Sequence, residues 1–274
     1  MTTANPIRNL PERYRPRTLD EMVGQHAVVR GLRAMIAGGL LDGGLLFQGT
    51  TGTGKTTAAR ALLNELGVDR FWDYQEVKAA ECSMEKVREI AKGMRFAAKN
   101  GGYRVWLVDE AHRMSATAID AWKTLLEDLL PNRIVIFATT ERERFARERA
   151  FRHRCQVFDF EMPTADDLRT LLERAVRAEG LKGIDIGRIA EEAEGSYRQA
   201  LRLLQHAAAM ALAGIEVEPT ATPATVTAKS KPKRTSRART TRTCGTCGVG
   251  RVHARGLCTH CYNKARRLET VAAG

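Results

Sequence analysis

Eight consecutive residues, Gly49-Thr50-Thr51-Gly52-Thr53-Gly54-Lys55-Thr56, have the spacing G-x-x-x-x-G-K-[ST]. Residues of these types in this order can bind the phosphates of a nucleotide. The glycines let backbone N–H groups approach phosphate oxygens, the Lys55 ammonium reaches the β and γ oxygens, and the Thr56 hydroxyl is a ligand for Mg²⁺. Thr57 follows in what would be the first helical turn. Farther along, Asp109-Glu110-Ala111-His112 sets two carboxylates side by side. Asp109 suits Mg²⁺, directly or through water, and Glu110 suits a general base that polarises an attacking water. Near the C-terminus, Cys244-x2-Cys247-x10-Cys258-x2-Cys261 offers four thiolates for one tetrahedral Zn²⁺. Gly245, Gly248 and Gly256 supply tight turns there, and so short a segment needs a metal to fold. His253 and His260 are spare ligands. Cys82 and Cys155 stand apart and are expected as buried apolar fillers.

These groups need elements to position them. Short β-rich runs at 45–48, 71–77, 103–108, 133–139 and 156–160 alternate with amphipathic runs at 55–66, 84–98, 116–129 and 142–151. Such alternation predicts an α/β fold, a parallel sheet sandwiched by helices. The glycine-rich loop then joins a strand to a helix, and Asp109 and Glu110 leave the C-terminal end of a buried strand, where such sheets bind ligands. The run 71–77 falls in sequence between the two motif strands, as expected of an ATPase class with an inserted central strand. Trp72, Trp106 and Trp122 are expected in the core. After Pro163 the strands stop, and 166–179, 184–194 and 197–213 predict three helices, with Thr164 as N-cap and Asp166 and Asp167 in the first turn. The expected organisation is a nucleotide-binding domain over 1–163, a small helical lid over 164–214, a basic disordered linker over 215–243 and a zinc-finger-like tail over 244–274.

The 274 residues are 43% hydrophobic and 28% charged, which excludes a wholly disordered or fibrous chain. No apolar run approaches the length of a membrane span. Charged residues from Arg8 to Arg17 stand where a secretory signal would need an apolar stretch, so a cytoplasmic, reducing location is expected. The net charge is +12, and residues 215–274 hold 12 Lys and Arg against three acidic residues, a net of +9. That imbalance points to a near-neutral machine with a basic tail that seeks phosphates, DNA being the expected partner. Arg251, Arg255, Lys264, Arg266 and Arg267 surround the thiols, and docking to another protein is the other use of such a knuckle.

From Glu12 to about Leu212 the chain resembles the clamp-loader ATPases, the replication factor C small subunits and the bacterial DNA polymerase III gamma/tau subunit. Glu12-Arg13-Tyr14-Arg15-Pro16 followed by Val23-Gly24-Gln25 is similar to the family's N-terminal box, which lies against adenine. That likeness implies that Tyr14, Arg15 and Val23 bind the base side of ATP. Residues 135–140 resemble the sensor 1 strand, with Thr140, or by an alignment one residue shifted Thr139, at the γ-phosphate or attacking water. Arg154-Cys155 resembles the end of a Ser-Arg-Cys motif whose arginine enters a neighbouring subunit's site; His153 stands in place of the serine. Arg154 also lies in a run crowded with arginines, so a place on a solvated basic face is the other possibility. Gly195-Ser196-Tyr197-Arg198-Gln199-Ala200-Leu201 resembles the sensor 2 helix, which implies a phosphate contact for Arg198 from the lid. The resemblance implies ATP hydrolysis with Mg²⁺ and an oligomer of clamp-loader subunits that places a sliding clamp on primer-template DNA. Between the phosphate loop and the Asp109-Glu110 strand the chain contains only Cys82, where gamma/tau subunits carry a zinc module, and linker and cysteine tail stand where the family has a helical collar. The tail itself resembles small zinc fingers of phage and actinobacterial DNA-associated proteins, which makes a nucleoid or phage replication complex a further expected location. Other AAA+ DNA motors, for branch migration or helicase loading, and a non-hydrolysing structural subunit of a replication complex are the alternative readings.

Overall fold

The computed structural model describes residues 8–212, all within the first of the two units into which the chain divides, Met1–Val217. The sequence expectations for the linker and the four-cysteine tail lie outside the described residues. Five strands form one parallel sheet: β1 (Gly43–Gln48), β2 (Tyr74–Lys78), β3 (Arg104–Asp109), β4 (Arg133–Thr139) and β5 (Cys155–Asp159), in the spatial order β2-β3-β4-β1-β5. Around and after them run ten helices among the described residues: α1 (Leu10–Arg13), α2 (His26–Ala37), α3 (Lys55–Glu65), α4 (Met84–Met94), α5 (Ala116–Glu127), α6 (Arg142–Arg147), α7 (Arg149–Arg152), α8 (Ala165–Glu179), α9 (Ile186–Glu192) and α10 (Tyr197–Leu212).

The period of two along each strand decides which helices it carries. Leu45 and Phe47, Val105 and Leu107, and Ile134, Ile136 and Ala138 join one core with α2 and α3. Leu46, Trp106, Val108, Val135 and Phe137 join the opposite core with Val87 and Ile90 of α4 and Trp122 of α5. Parallel strands buried on both faces need apolar residues at successive positions, and β4 is buried along its whole length. A third core, built by Leu168, Leu171 and Leu172 of α8, Ile189 of α9 and Leu201 and Leu204 of α10, also takes in Leu10 from the N-terminal segment. The Thr164 side chain accepts the Asp167 N–H at 3.1 Å while Asp167 accepts the Thr164 N–H at 2.9 Å, a capping box that starts α8.

A strand does stand inserted between the two motif strands, and two other sequence expectations are corrected. The strand that separates β1 from β3 in space is β4, whereas β2, which separates them in sequence, forms the sheet edge. That edge strand begins at Tyr74, so Trp72 lies before it and is 56% exposed; Trp106 and Trp122 are buried as expected. Helix α4 stops at Met94, short of 98, because two strand arginines take the carbonyls at its end. Arg104 donates to Gly93 O at 2.8 Å, and Arg133 donates to Met94 O at 2.8 Å and to Phe96 O at 2.7 Å. Cys82 is buried and accepts the Trp122 indole N–H at 3.2 Å, while Cys155 is only partly buried, its thiol pushed up to about 12 by burial.

Candidate active site

In a parallel sheet every strand delivers its C-terminal end to the same edge. Register places Gln48 opposite both Thr139 and Asp159, and Lys78 opposite Asp109. The glycine-rich loop leaves β1 at Gly49, whose N–H donates to Thr139 O at 3.2 Å, and turns into α3 at Gly54, where φ is 101°. Two glycines meet neighbours too closely to carry a side chain. A Cβ on Gly49 would overlap the Phe160 carbonyl oxygen, and one on Gly52, at φ 85°, would overlap the Ser196 hydroxyl. The loop is thus held between the end of β5 and the start of α10. Thr53, fully buried, donates its hydroxyl to Thr50 O at 2.9 Å and so braces the loop from within.

Lys55 curls back under this loop and donates to Gly49 O at 2.8 Å and Thr50 O at 2.7 Å. Burial lowers its pKa to about 8; the nearby Asp109 carboxylate opposes that fall, and Arg198 and Arg142 add to it. A buried ammonium in a glycine cradle, with two further cations close by, is a site that favours polyanions. The Thr56 hydroxyl lies 3.4 Å from Asp109 Oδ2, so the two residues expected to hold Mg²⁺ are neighbours. Two oxygen ligands with room for phosphate and water suit that ion, and the donor set fits it. Glu110 follows with φ 53°, its carboxylate paired with the exposed Arg113 at 2.9 Å. An exposed pair of this kind contributes about 0–1 kcal/mol, so the carboxylate can turn into the cleft at small cost.

The cleft over the loop is lined by Pro11, Tyr14, Arg15, Met22 and Val23 of the N-terminal segment and by Leu171, Tyr197, Arg198 and Leu201 of α8 and α10, together with Thr51, Gly52, Thr56 and Thr57. Asp109, Glu110 and Thr140 also line it. Tyr14 donates its hydroxyl to Glu179 Oε1 at 2.6 Å, and burial with that carboxylate pushes its pKa up to about 12. Arg15 pairs with Glu12 at 2.8 Å. Of the two candidate threonines, Thr140 faces the cleft, 3.5 Å from the His112 ring nitrogen. Thr139 is buried and accepts the Glu141 N–H at 3.1 Å.

Arg154 stands elsewhere. It precedes β5, whose first residue Cys155 lies opposite Gly44, so it sits at the other end of the sheet, paired with Glu127 and bonded to Ala150 O. The length of a five-residue strand, about 16 Å, separates it from the chain's own loop. The structure also brings in residues that sequence reasoning did not single out. Pro11, Met22 and Leu171 line the cleft, but in the sequence they look like any apolar residue of an amphipathic face. Arg142 donates to Phe160 O at 3.1 Å and lies close enough to bias Lys55, though in the sequence it is one of a crowd of arginines. Arg144 donates to the carbonyls of His112 and Met114 and so braces the loop after Glu110. Among the described residues no group of three or more His, Cys, Asp or Glu could hold a metal, and no helix is long and apolar enough to cross a membrane.

Comparison with known proteins agrees with this geometry. A replication factor C small subunit from Staphylothermus marinus is 32% identical over 208 residues, which cover 73% of this chain and 61% of the relative. The DNA polymerase III subunit gamma of Buchnera aphidicola is 28% identical over 221 residues, 72% of this chain and 60% of the relative. The subunit tau of Bacillus subtilis is 28% identical over 219 residues, 71% and 38% respectively. The chain thus spans 60% or so of the length of the first two and less of the third. A Thermotoga maritima RuvB, a Holliday junction branch migration motor, shares the fold with a TM-score of 0.62 at 22% identity, over 73% of this chain and 67% of that one. Residues 45–162 match the family described as "ATPase family associated with various cellular activities (AAA)". With the end of its phosphate-loop strand and the carboxylate pair on β3 inside the match, the segment 45–162 is an AAA ATPase domain, and clamp-loader subunits are among the chain's relatives.

Proposed function

We propose that this chain is an ATP-hydrolysing clamp-loader-type subunit that couples ATP turnover to the placement of a sliding clamp on primer-template DNA. The observation that carries this reading is the gathering of Lys55, Thr56, Asp109, Glu110, Thr140 and Arg198 around one cleft, from four elements far apart in sequence. Lys55 and the loop N–H groups hold the phosphates, and Arg198 approaches them from the lid side. Thr56 and Asp109 would hold Mg²⁺, which supplies charge neutralisation on the phosphate oxygens. Glu110 orients and deprotonates the attacking water, while Thr140 holds that water or the γ-phosphate. Arg154, too far from its own cleft, completes the site of an adjacent subunit, so the active form is an oligomer.

The tail adds the DNA anchor in this reading. Cys244, Cys247, Cys258 and Cys261 bind one Zn²⁺, and the cations around them contact phosphates. The test mixes the full chain with the clamp and partner subunits purified from its source and follows clamp retention on nicked circular DNA. ATP-dependent retention that vanishes on linearising the circle supports the reading. ATP-dependent movement of a four-way junction without clamp retention would favour the branch-migration alternative, which the RuvB-like fold accommodates equally well. Loss of retention on removing residues 215–274, together with a flatter salt dependence of DNA affinity, assigns the anchor to the tail.

A further inference from the structure

The helix that carries Arg198 begins with Tyr197, and this tyrosine reaches the N-terminal segment that also lines the cleft. Its hydroxyl donates to the backbone carbonyl of Val23 at 2.6 Å, across 174 residues of sequence. The neighbouring backbone is shaped to allow it. Gly24 has φ +67°, and a Cβ there would stand 2.7 Å from the Tyr197 hydroxyl and 3.0 Å from Asp167 Oδ2, so no side chain fits. Gln25, also at positive φ (54°), fixes the segment from its other end: its side-chain amide donates to Glu161 O at 2.7 Å and accepts the Glu161 N–H at 3.2 Å. Residues 23–25 are thereby clipped to α10 on one side and to the chain leading into α8 on the other. Burial and the Asp167 carboxylate raise the Tyr197 pKa well above the ordinary tyrosine value, so the hydroxyl remains a donor throughout the working pH range.

In the wall formed by Pro11, Tyr14, Arg15, Met22 and Val23 the Arg15 guanidinium is held by Glu12 at 2.8 Å. The Tyr14 hydroxyl is committed to Glu179. Discrimination among bases therefore falls to the main chain, and a peptide group discriminates only if it cannot rotate. A carbonyl has two lone pairs, and one of them at Val23 is taken by Tyr197. The other, and the direction of the whole peptide, are then fixed. Adenine presents an amino donor where guanine presents a carbonyl acceptor, so a fixed carbonyl favours one and repels the other, whereas a freely turning peptide suits both.

We propose that Tyr197 is a positioning residue for nucleobase selection: its hydroxyl locks the Val23 peptide so that the cleft takes adenine over guanine nucleotides, and it joins base recognition to the helix bearing Arg198. This inference rests on the assignment of the cleft as an ATP site. The test measures equilibrium binding of fluorescent ATP and GTP analogues to the full chain, its Tyr197→Phe variant and its Lys55→Ala variant, with a thermal unfolding midpoint for each. The expected result is that Tyr197→Phe loses about five-fold in affinity for ATP, the effect of one net hydrogen bond. Its affinity for GTP is unchanged or better, so selectivity falls at least as much. Equal affinities of wild type and Tyr197→Phe for both nucleotides would overturn the proposal, as would a proportional loss of both. Failure of the underlying ATP-site assignment looks different: the wild type would bind neither nucleotide, or Lys55→Ala would bind ATP as well as wild type.

Discussion

Lys55 shows how a single side chain ties burial to function. Its ammonium is nearly enclosed and satisfied by two loop carbonyls, and burial brings its pKa from 10.5 to about 8. Between those two values the unfolded chain binds more protons at this residue than the folded one, so its contribution to stability improves as pH rises from about 8 to about 10.5. Phosphate binding works in the opposite sense, because negative charge beside the ammonium favours the protonated form. We therefore expect ATP binding at about pH 8.5 to take up a fraction of a proton per site, and affinity to fall as pH climbs beyond 8. Calorimetry of ATP binding in buffers of different ionisation enthalpy measures the uptake directly, and Lys55→Ala should abolish both uptake and most of the affinity. An uptake of zero in the wild type would mean that Lys55 does not meet the phosphates.

The elements matter because they bring together groups that no local motif connects. The loop at Gly49 passes so close to Phe160 that the β1–β5 pairing and the phosphate cradle are one structure. Gly49→Ala puts a methyl group against a backbone oxygen that has no rotamer with which to retreat. We expect the unfolding midpoint to fall on the order of 5 °C, from an overpacking cost of about 1–3 kcal/mol, with ATP affinity reduced at least ten-fold. Circular dichroism melts and nucleotide titrations check both. Much of this arrangement was legible in the sequence: contiguous motifs revealed Lys55, Thr56, Asp109 and Glu110, and the alternation of apolar runs revealed all five strands and the three later helices. Trp72 was misjudged because an aromatic beside an edge strand has the same local pattern as one within it. The order of the strands could not be read, because sequence adjacency says nothing of which strand enters between two others. The clips from Tyr14 to Glu179 and from Tyr197 to Val23 were invisible for a related reason. Each joins residues whose separation in sequence exceeds 160, and neither partner carries a pattern that points to the other.

At the scale of the whole molecule, the cleft and Arg154 lie at opposite ends of the sheet. The C-terminal edge holds the cleft, while Arg154 at the opposite end is paired with Glu127. Assemblies mixed from Arg154→Ala and Lys55→Ala chains should hydrolyse ATP faster than either parent alone, since the first supplies an intact loop and the second an intact arginine. An arginine supplied in trans is worth on the order of 10³-fold in rate, so even a minority of productive interfaces should be detectable by phosphate release. No gain in assemblies shown by mass to be mixed would leave Arg154 on a solvated basic face. The central claim, that this cleft hydrolyses ATP with Glu110 as the base, is tested most directly by phosphate release and ATP retention in Glu110→Gln under assembly conditions. We expect ATP affinity equal to or tighter than wild type, with turnover at least about 100-fold slower, in keeping with the usual contribution of a general base. Wild-type turnover by Glu110→Gln would contradict it.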